Sequence, residues 1–338
     1  MTTDTSTPPG LLAIRDEMAR QHSDALASFR GAPDIARRVA GSVRETGRLL
    51  LLGMGASHAA GRAVAPIYRS LGIDALALPL SEQLYTPLPV AGRTVMLTSQ
   101  SGESAEVLRW LDGRDAARDL FGLTMESGST LARAVPSLLG AGGTETAFAA
   151  TRSLMVTLAL HAAVLGELGA DTGDMAEVLG DPRPVKVGAA LDTLAQVDAV
   201  VTSGRRLQGL AEAIALGLTE LSRRPCFAME GGQLRHGPME MLGAHVGVVM
   251  FRGKDGTADL VGRLATETAA TGAPTVVFDA SGAEPVEGAT TVGLQPAADL
   301  GALFRMLPAA QAFMVEFAVR RVADVGTPIH SSKVTRVE

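Results

Sequence analysis

Glu220, His236 and Lys333 carry the side-chain types that proton transfer and carbonyl chemistry need. Glu220 lies near the end of a predicted helix, where burial can turn a carboxylate into a useful base. His236 sits in Gly231-Gly232-Gln233-Leu234-Arg235-His236-Gly237-Pro238, a loop whose glycines and proline fix turns around a group that exchanges protons near neutral pH. Lys333 stands in a polar C-terminal tail, and an amine is a nucleophile towards a carbonyl. Each also has a plainer reading, as a solvated helix residue, a loop hydrogen-bonder and a surface lysine. Residue type alone does not decide between them.

Two turns point to an anion. Ser99-Gln100-Ser101-Gly102-Glu103-Ser104 places three hydroxyls, an amide and a glycine between a predicted strand and a helix start. Backbone N–H groups, hydroxyl donors and close approach at Gly102 suit a phosphate without any lysine. Ordinary capping competes with this reading: Ser101 or Ser104 could satisfy helix N–H groups, with Glu103 or Glu106 completing the arrangement. The earlier turn Gly53-Met54-Gly55-Ala56-Ser57-His58 also follows a strand and opens a helix, so both should lie at one edge of a parallel sheet and face one ligand. Spacing disfavours a dinucleotide, because His58 stands where a G-x-G-x-x-G motif needs its third glycine.

The elements that must hold these groups alternate. Helical apolar patterns cover residues 11–29 and 34–45; strands are read at 48–53, 94–98 and 120–124, and helices at 59–71, 105–111 and 151–168. Gly180-Asp181-Pro182-Arg183-Pro184 breaks any helix and reads as a linker. The plan then restarts, with strands at 199–203, 246–251 and 274–279 and helices at 207–222 and 258–271. Alternating strands and helices imply parallel sheets covered on both faces, and 338 residues suit two such domains of about 150 residues each.

Composition narrows the classes. The chain is 46% apolar and 20% charged, with a formal net charge of −6 and both signs dispersed, which argues against a general nucleic-acid surface. No basic, apolar leader opens it, residues 1–10 read as a disordered tail, and no uncharged apolar run approaches the ~20 residues of a spanning helix. A soluble, cytoplasmic protein without membrane or nucleic-acid partners is expected. Cys226 is the only cysteine; it excludes an intrachain disulfide, suits a reducing compartment, and reads as a buried, inert thiol. The six histidines are scattered, so neither a metal site nor a cofactor is expected.

Taken together, Gly55-Ala56-Ser57-His58-Ala59-Ala60-Gly61, Ser99 through Ser104, Ala149-Ala150-Thr151-Arg152, the Gly232 to Pro238 loop and Lys333-Val334-Thr335-Arg336-Val337-Glu338 resemble the sugar isomerase (SIS) family. The likeness is to the isomerase half of glutamine-dependent glucosamine-6-phosphate synthase and to SIS-type glucosamine-6-phosphate deaminases, and it starts near Glu17-Met18-Ala19-Arg20-Gln21, which looks like the family's lead-in helix. The resemblance implies an α/β fold of two SIS lobes, each a mainly parallel sheet in a three-layer αβα stack. Its expected divisions are a tail and lead-in helix at 1–35, a first SIS domain at 36–179, a linker at 180–188, a second SIS domain at 189–328 and an active-site tail at 329–338.

Carried over by position, Ser99, Gln100, Ser101 and Ser104 would bind a sugar phosphate, with Gly55, Ala56, Ser57 and Ala150 beside the sugar. Glu220 would move the proton between C1 and C2. His236 would open the sugar ring in the neighbouring subunit's site, which implies a homodimer, and Lys333 would close over the sugar and be able to form an imine. Two positions depart from the family pattern: Gly217 replaces a lysine three residues before the glutamate, and Ala150 replaces a serine. With no glutaminase domain ahead of the first lobe, the expectation is deamination of glucosamine 6-phosphate to fructose 6-phosphate and ammonia. Galactosamine 6-phosphate deamination, aldose-ketose isomerisation, cleavage of an amine-linked sugar phosphate and non-catalytic sugar-phosphate sensing are the alternatives; no basic DNA-binding segment supports the last.

Overall fold

Leu49, Leu50, Leu51 and Leu52 form one short strand and send alternate side chains to opposite faces, because side-chain direction in a strand has a period of two. Leu49 and Leu51 join a large central cluster, whereas Leu50 and Leu52 join a smaller one on the other side. Burial on both faces requires helices above and below, as in parallel sheets generally. The computed structural model describes residues 7–112 and 119–335.

In the first half, α1 (Pro9–Gly31) and α2 (Pro33–Thr46) precede β1 (Arg48–Gly53), α3 (Gly55–Ser70), β2 (Asp74–Pro79), α4 (Glu82–Tyr85), β3 (Thr94–Thr98), α5 (Ala105–Leu111), β4 (Leu120–Thr124), α6 (Thr130–Ala134), β5 (Ser137–Leu139) and α7 (Arg152–Glu167). The second half runs α8 (Gly173–Gly180), α9 (Gly188–Thr193), β6 (Ala199–Ser203), α10 (Gln208–Ser222), β7 (Cys226–Ala228), α11 (Gly231–Arg235), β8 (Val246–Gly253), α12 (Ala258–Ala270), β9 (Thr275–Ala280), β10 (Thr290–Gly293) and α13 (Asp299–Val319).

Each half contributes one five-stranded sheet, and every strand pairing is parallel. The first has the order β2-β1-β3-β4-β5 and the second β10-β9-β8-β6-β7. Counted within its own half, the second order is the first read from the other edge, so the halves share one topology. In such sheets ligands bind beyond the carboxyl ends of the strands where the order reverses. For the first sheet that point lies between β1 and β3, whose register pairs Gly53 with Thr98.

The apolar interior does not divide with the sheets. One cluster takes in α1, α2, α3, α7, α10 and α13 together with the inner faces of both sheets. The outer faces close separate clusters, one under α5 that includes Trp110 and one under α12 that includes Leu264. Between the halves α3 meets α10, and a Cβ on Gly209 would lie 2.0 Å from the backbone nitrogen of Ala63, so only glycine permits the approach.

Some expectations need correcting. Residues 9 and 10, assigned to a disordered tail, open α1, where Pro9 at the first helical turn needs no N–H partner; residues 1–6 of that tail lie outside the described residues. Helix α3 begins at Gly55, four residues before the expected start, so the glycine turn is itself the first helical turn. α13 carries the one stretch, among the described residues, long and apolar enough by length and composition to cross a membrane, but 72% of it is buried inside the protein.

Candidate active site

A cavity of about 390 Å³ opens at the β1/β3 reversal, and every expected site residue except His236 lines it. Gly55, Ala56 and Ser57 come from the start of α3; Ser99, Gln100, Ser101 and Ser104 come from the turn between β3 and α5; Ala150 precedes α7. Glu220 enters from the last turn of α10, in the second half, and Lys333 from the 331–335 segment. The two halves of the chain thus meet over one space.

The serine turn is built to hold its shape. The N–H of Gly102 donates to Ser99 Oγ at 3.1 Å and that of Glu103 to Ser101 Oγ at 3.2 Å. Gly102 has φ of +63°, and a Cβ there would lie 2.3 Å from Ser129 Oγ, so backbone conformation and space both demand glycine. The capping alternative fails at two residues. Ser104 precedes α5 but its side chain makes no capping hydrogen bond, and Glu103 instead accepts from the N–H and hydroxyl of Thr130. The hydroxyl of Ser104 is left at the cavity, and Gln100 Nε2 is buried there without a partner.

Opposite this turn stand three charged groups. Glu220 is half-buried, and its carboxyl is pushed up to about 7, first by burial; the Lys333 ammonium opposes the rise and the Glu145 carboxylate adds to it. Lys333 Nζ lies 3.1 Å from Glu145 Oε2 and 3.4 Å from the carbonyl of Phe148, so the reading of a loose surface lysine is overturned. Glu145 itself is fully buried and accepts from the N–H and hydroxyl of Thr151 and from the N–H and hydroxyl of Ser153.

Sequence reasoning missed Glu145. A signal was present: a lone acid in the glycine-rich loop before α7, with Thr151 and Ser153 at the helix start to bind it. The same loop explains why α1 resembles a lead-in helix. Glu17 accepts from Arg152 Nε at 2.5 Å and from the N–H of Thr146, and wholly buried Arg152 also donates to the carbonyls of Ala141 and Gly143. α1 therefore fixes the loop that fixes Glu145.

The two departures have local reasons. A Cβ at Gly217 would sit 2.1 Å from Met314 Sδ, so the side chain of α13 fills the place where the family pattern has a lysine. Lys333 is the cation that acts on Glu220 instead. Ala150 leaves a methyl at the wall, and the nearby hydroxyl of Ser153 is taken by Glu145.

His236 is not brought to this cavity by its own chain. It is the exposed residue after α11, with its N–H on the Gln233 carbonyl at 3.1 Å. Cys226 on β7 also stands apart; burial pushes its thiol up, in line with an inert core residue. Among the described residues no cluster of three metal-ligating side chains occurs.

A parallel sheet with a hydroxyl-rich turn at its reversal point, faced by an acid and a lysine from elsewhere in the chain, defines an open α/β protein with a candidate anion site at its switch point. No family model matches the chain. It is 30% identical to a glutamine–fructose-6-phosphate aminotransferase (isomerizing) of Aeropyrum pernix over 332 residues, covering 89% of this chain and 53% of that protein. The chain thus spans about half the length of the curated relatives it matches. In structure it is similar to the C-terminal domain of glucosamine-fructose-6-phosphate aminotransferase from Francisella tularensis (TM-score 0.80, 19% identity, 93% of this chain and 98% of that one). It is also similar to a glucosamine-6-phosphate deaminase from Thermotoga maritima (TM-score 0.73, 23% identity, 95% and 99%). In sequence and in fold the chain resembles the sugar isomerase (SIS) family.

Proposed function

We propose that this protein is an SIS-type phosphosugar isomerase that acts as an amino-sugar phosphate deaminase, converting glucosamine 6-phosphate and water to fructose 6-phosphate and ammonia. The observation that carries the reading is the meeting of Glu220 and Lys333 with the Ser99 to Ser104 turn around one cavity. The turn supplies donors for the phosphate, and Glu220 with Lys333 supplies a base and a positive charge for the other end of the sugar. Relatives and structural neighbours named for the same sugar phosphates support the choice of substrate.

In this reading the ring opens to an aldehyde at C1 with the amine on C2, His236 of a second subunit serving that step. Glu220 takes the C2 proton as the C1 oxygen gains one, then returns its proton to C1 as the amine nitrogen gives one up, which leaves a hydroxyl at C1 and an imine at C2. Water adds to C2 and ammonia leaves, so one water is consumed for each ammonia released. A carboxyl near 7 divides between base and acid at neutral pH, as a group that must both take and return a proton requires. Lys333, paired with Glu145, presents positive charge to the sugar in this arrangement.

The test is to incubate the protein with glucosamine 6-phosphate and follow ammonia and fructose 6-phosphate together. Equal release is expected, reduced about a thousandfold or more in Glu220→Gln, with glucosamine itself processed at least about a hundredfold less efficiently for want of the phosphate anchor. Ketose formed without ammonia from a non-amino sugar phosphate would make the protein a plain isomerase. Binding without turnover of any sugar phosphate would make it a sensing module.

A further inference from the structure

Residues 329–335 have little of their own to hold them in place. Ile329 is 58% exposed, and His330, Ser331, Ser332 and Thr335 are exposed as well. Yet 331–335 lines the cavity. The hydrogen bonds that join it to the rest of the protein are few among the described residues. The N–H of Ala105 donates to the carbonyl of Thr335 at 3.0 Å, and Lys333 donates to Glu145 and to the Phe148 carbonyl. Of these only the contact with Glu145 joins opposite charges, and that carboxylate is wholly out of solvent, where an ion pair is screened least.

We propose that Glu145 is the positioning residue of this site: it grips Lys333 and so holds 331–335 across the cavity, beside Glu220, before any sugar arrives. Its second oxygen does a separate job. Oε1 takes the N–H and hydroxyl of Thr151 and the N–H of Ser153, which anchors the carboxylate to the first turn of α7, while Oε2 is turned to Lys333 and to the Ser153 hydroxyl. The anchor is itself fixed by α1 through Glu17, which takes the N–H of Thr146 next to Glu145. A charge held by its neighbours on one side needs no reorganisation to bind a lysine on the other. The inference deepens the proposed function but does not depend on turnover.

The experiment is hydrogen exchange on the ligand-free protein. Glu145→Gln keeps an acceptor for Thr151 and Ser153 and removes the charge that faces Lys333. The amide of Ala105, whose acceptor is the Thr335 carbonyl, should then exchange about tenfold faster or more, with α7 still protected. Lys333→Met should release the segment to the same degree, and the double variant should go no further, since both remove one interaction. Glu220→Gln, which removes a neighbouring charge but no bond to Lys333, should leave the Ala105 amide protected. Unchanged exchange in Glu145→Gln, or loosening confined to the start of α7, would overturn the proposal and leave Glu145 as a helix cap. Because no sugar is present, failure of the deaminase assay leaves this result standing, and the reverse holds too.

Discussion

Glu220 is held at odds with its own solvation, and that has a measurable sign. Its carboxyl titrates near 7 in the folded chain against 4.5 for the unperturbed group, so between these values the folded state binds more protons than the unfolded state. Folding stability contributed by this residue is therefore present below about pH 4.5 and lost as pH rises towards 7. Glu220→Gln should stabilise the protein by roughly 1–3 kcal/mol at pH 8 and by little at pH 4, as read by urea denaturation at both. Turnover in the proposed reaction is expected to have the opposite slope, its initial rate rising as the base form appears through pH 7. Glu220 was legible in the sequence through the family resemblance, since a glutamate near the end of an apolar helix reads equally well as a solvated residue. Glu145 was passed over, because the signal it carries, Thr151 and Ser153 six and eight residues on, singles it out only once the loop folds back on the start of α7.

Among the elements, α13 decides what α10 can carry. Met314 occupies the space over Gly217, so Gly217→Lys alone should destabilise the fold by about 1–3 kcal/mol through overpacking, and Gly217→Lys with Met314→Ala should recover part of the loss. Thermal melts of the two variants test this. The strands that the sequence made plain, β1, β3, β4 and β6, are buried runs flanked by turns and well read by hydrophobicity. Those it concealed have physical reasons: β2 is rich in alanine and only half buried, and β7 is three residues long. α13 escaped notice because Asp299, Arg305 and Pro308 interrupt an otherwise apolar stretch, yet its length and burial make it a main wall of the interior.

On the scale of the whole molecule, one chain supplies every expected site residue but His236, which stands exposed outside its own cavity. If a second copy lends that histidine, the sites of a dimer are shared, and two inactive variants complement each other. Random remixing of Glu220→Gln with His236→Ala should restore about a quarter of wild-type activity, because half the dimers are mixed and each mixed dimer has one intact site. Activity that stays at the level of the separate variants would assign His236 to no neighbour's chemistry. The glycine turns and the polar residues around Lys333 made most of this site readable as a pattern. What joins them across the two sheets became visible only in three dimensions.

The contact at Gly209 has a consequence for how the two halves meet. Where backbone rests on backbone, as α10 rests on α3 at Gly209, there is no layer of side chains to slide or repack at that point.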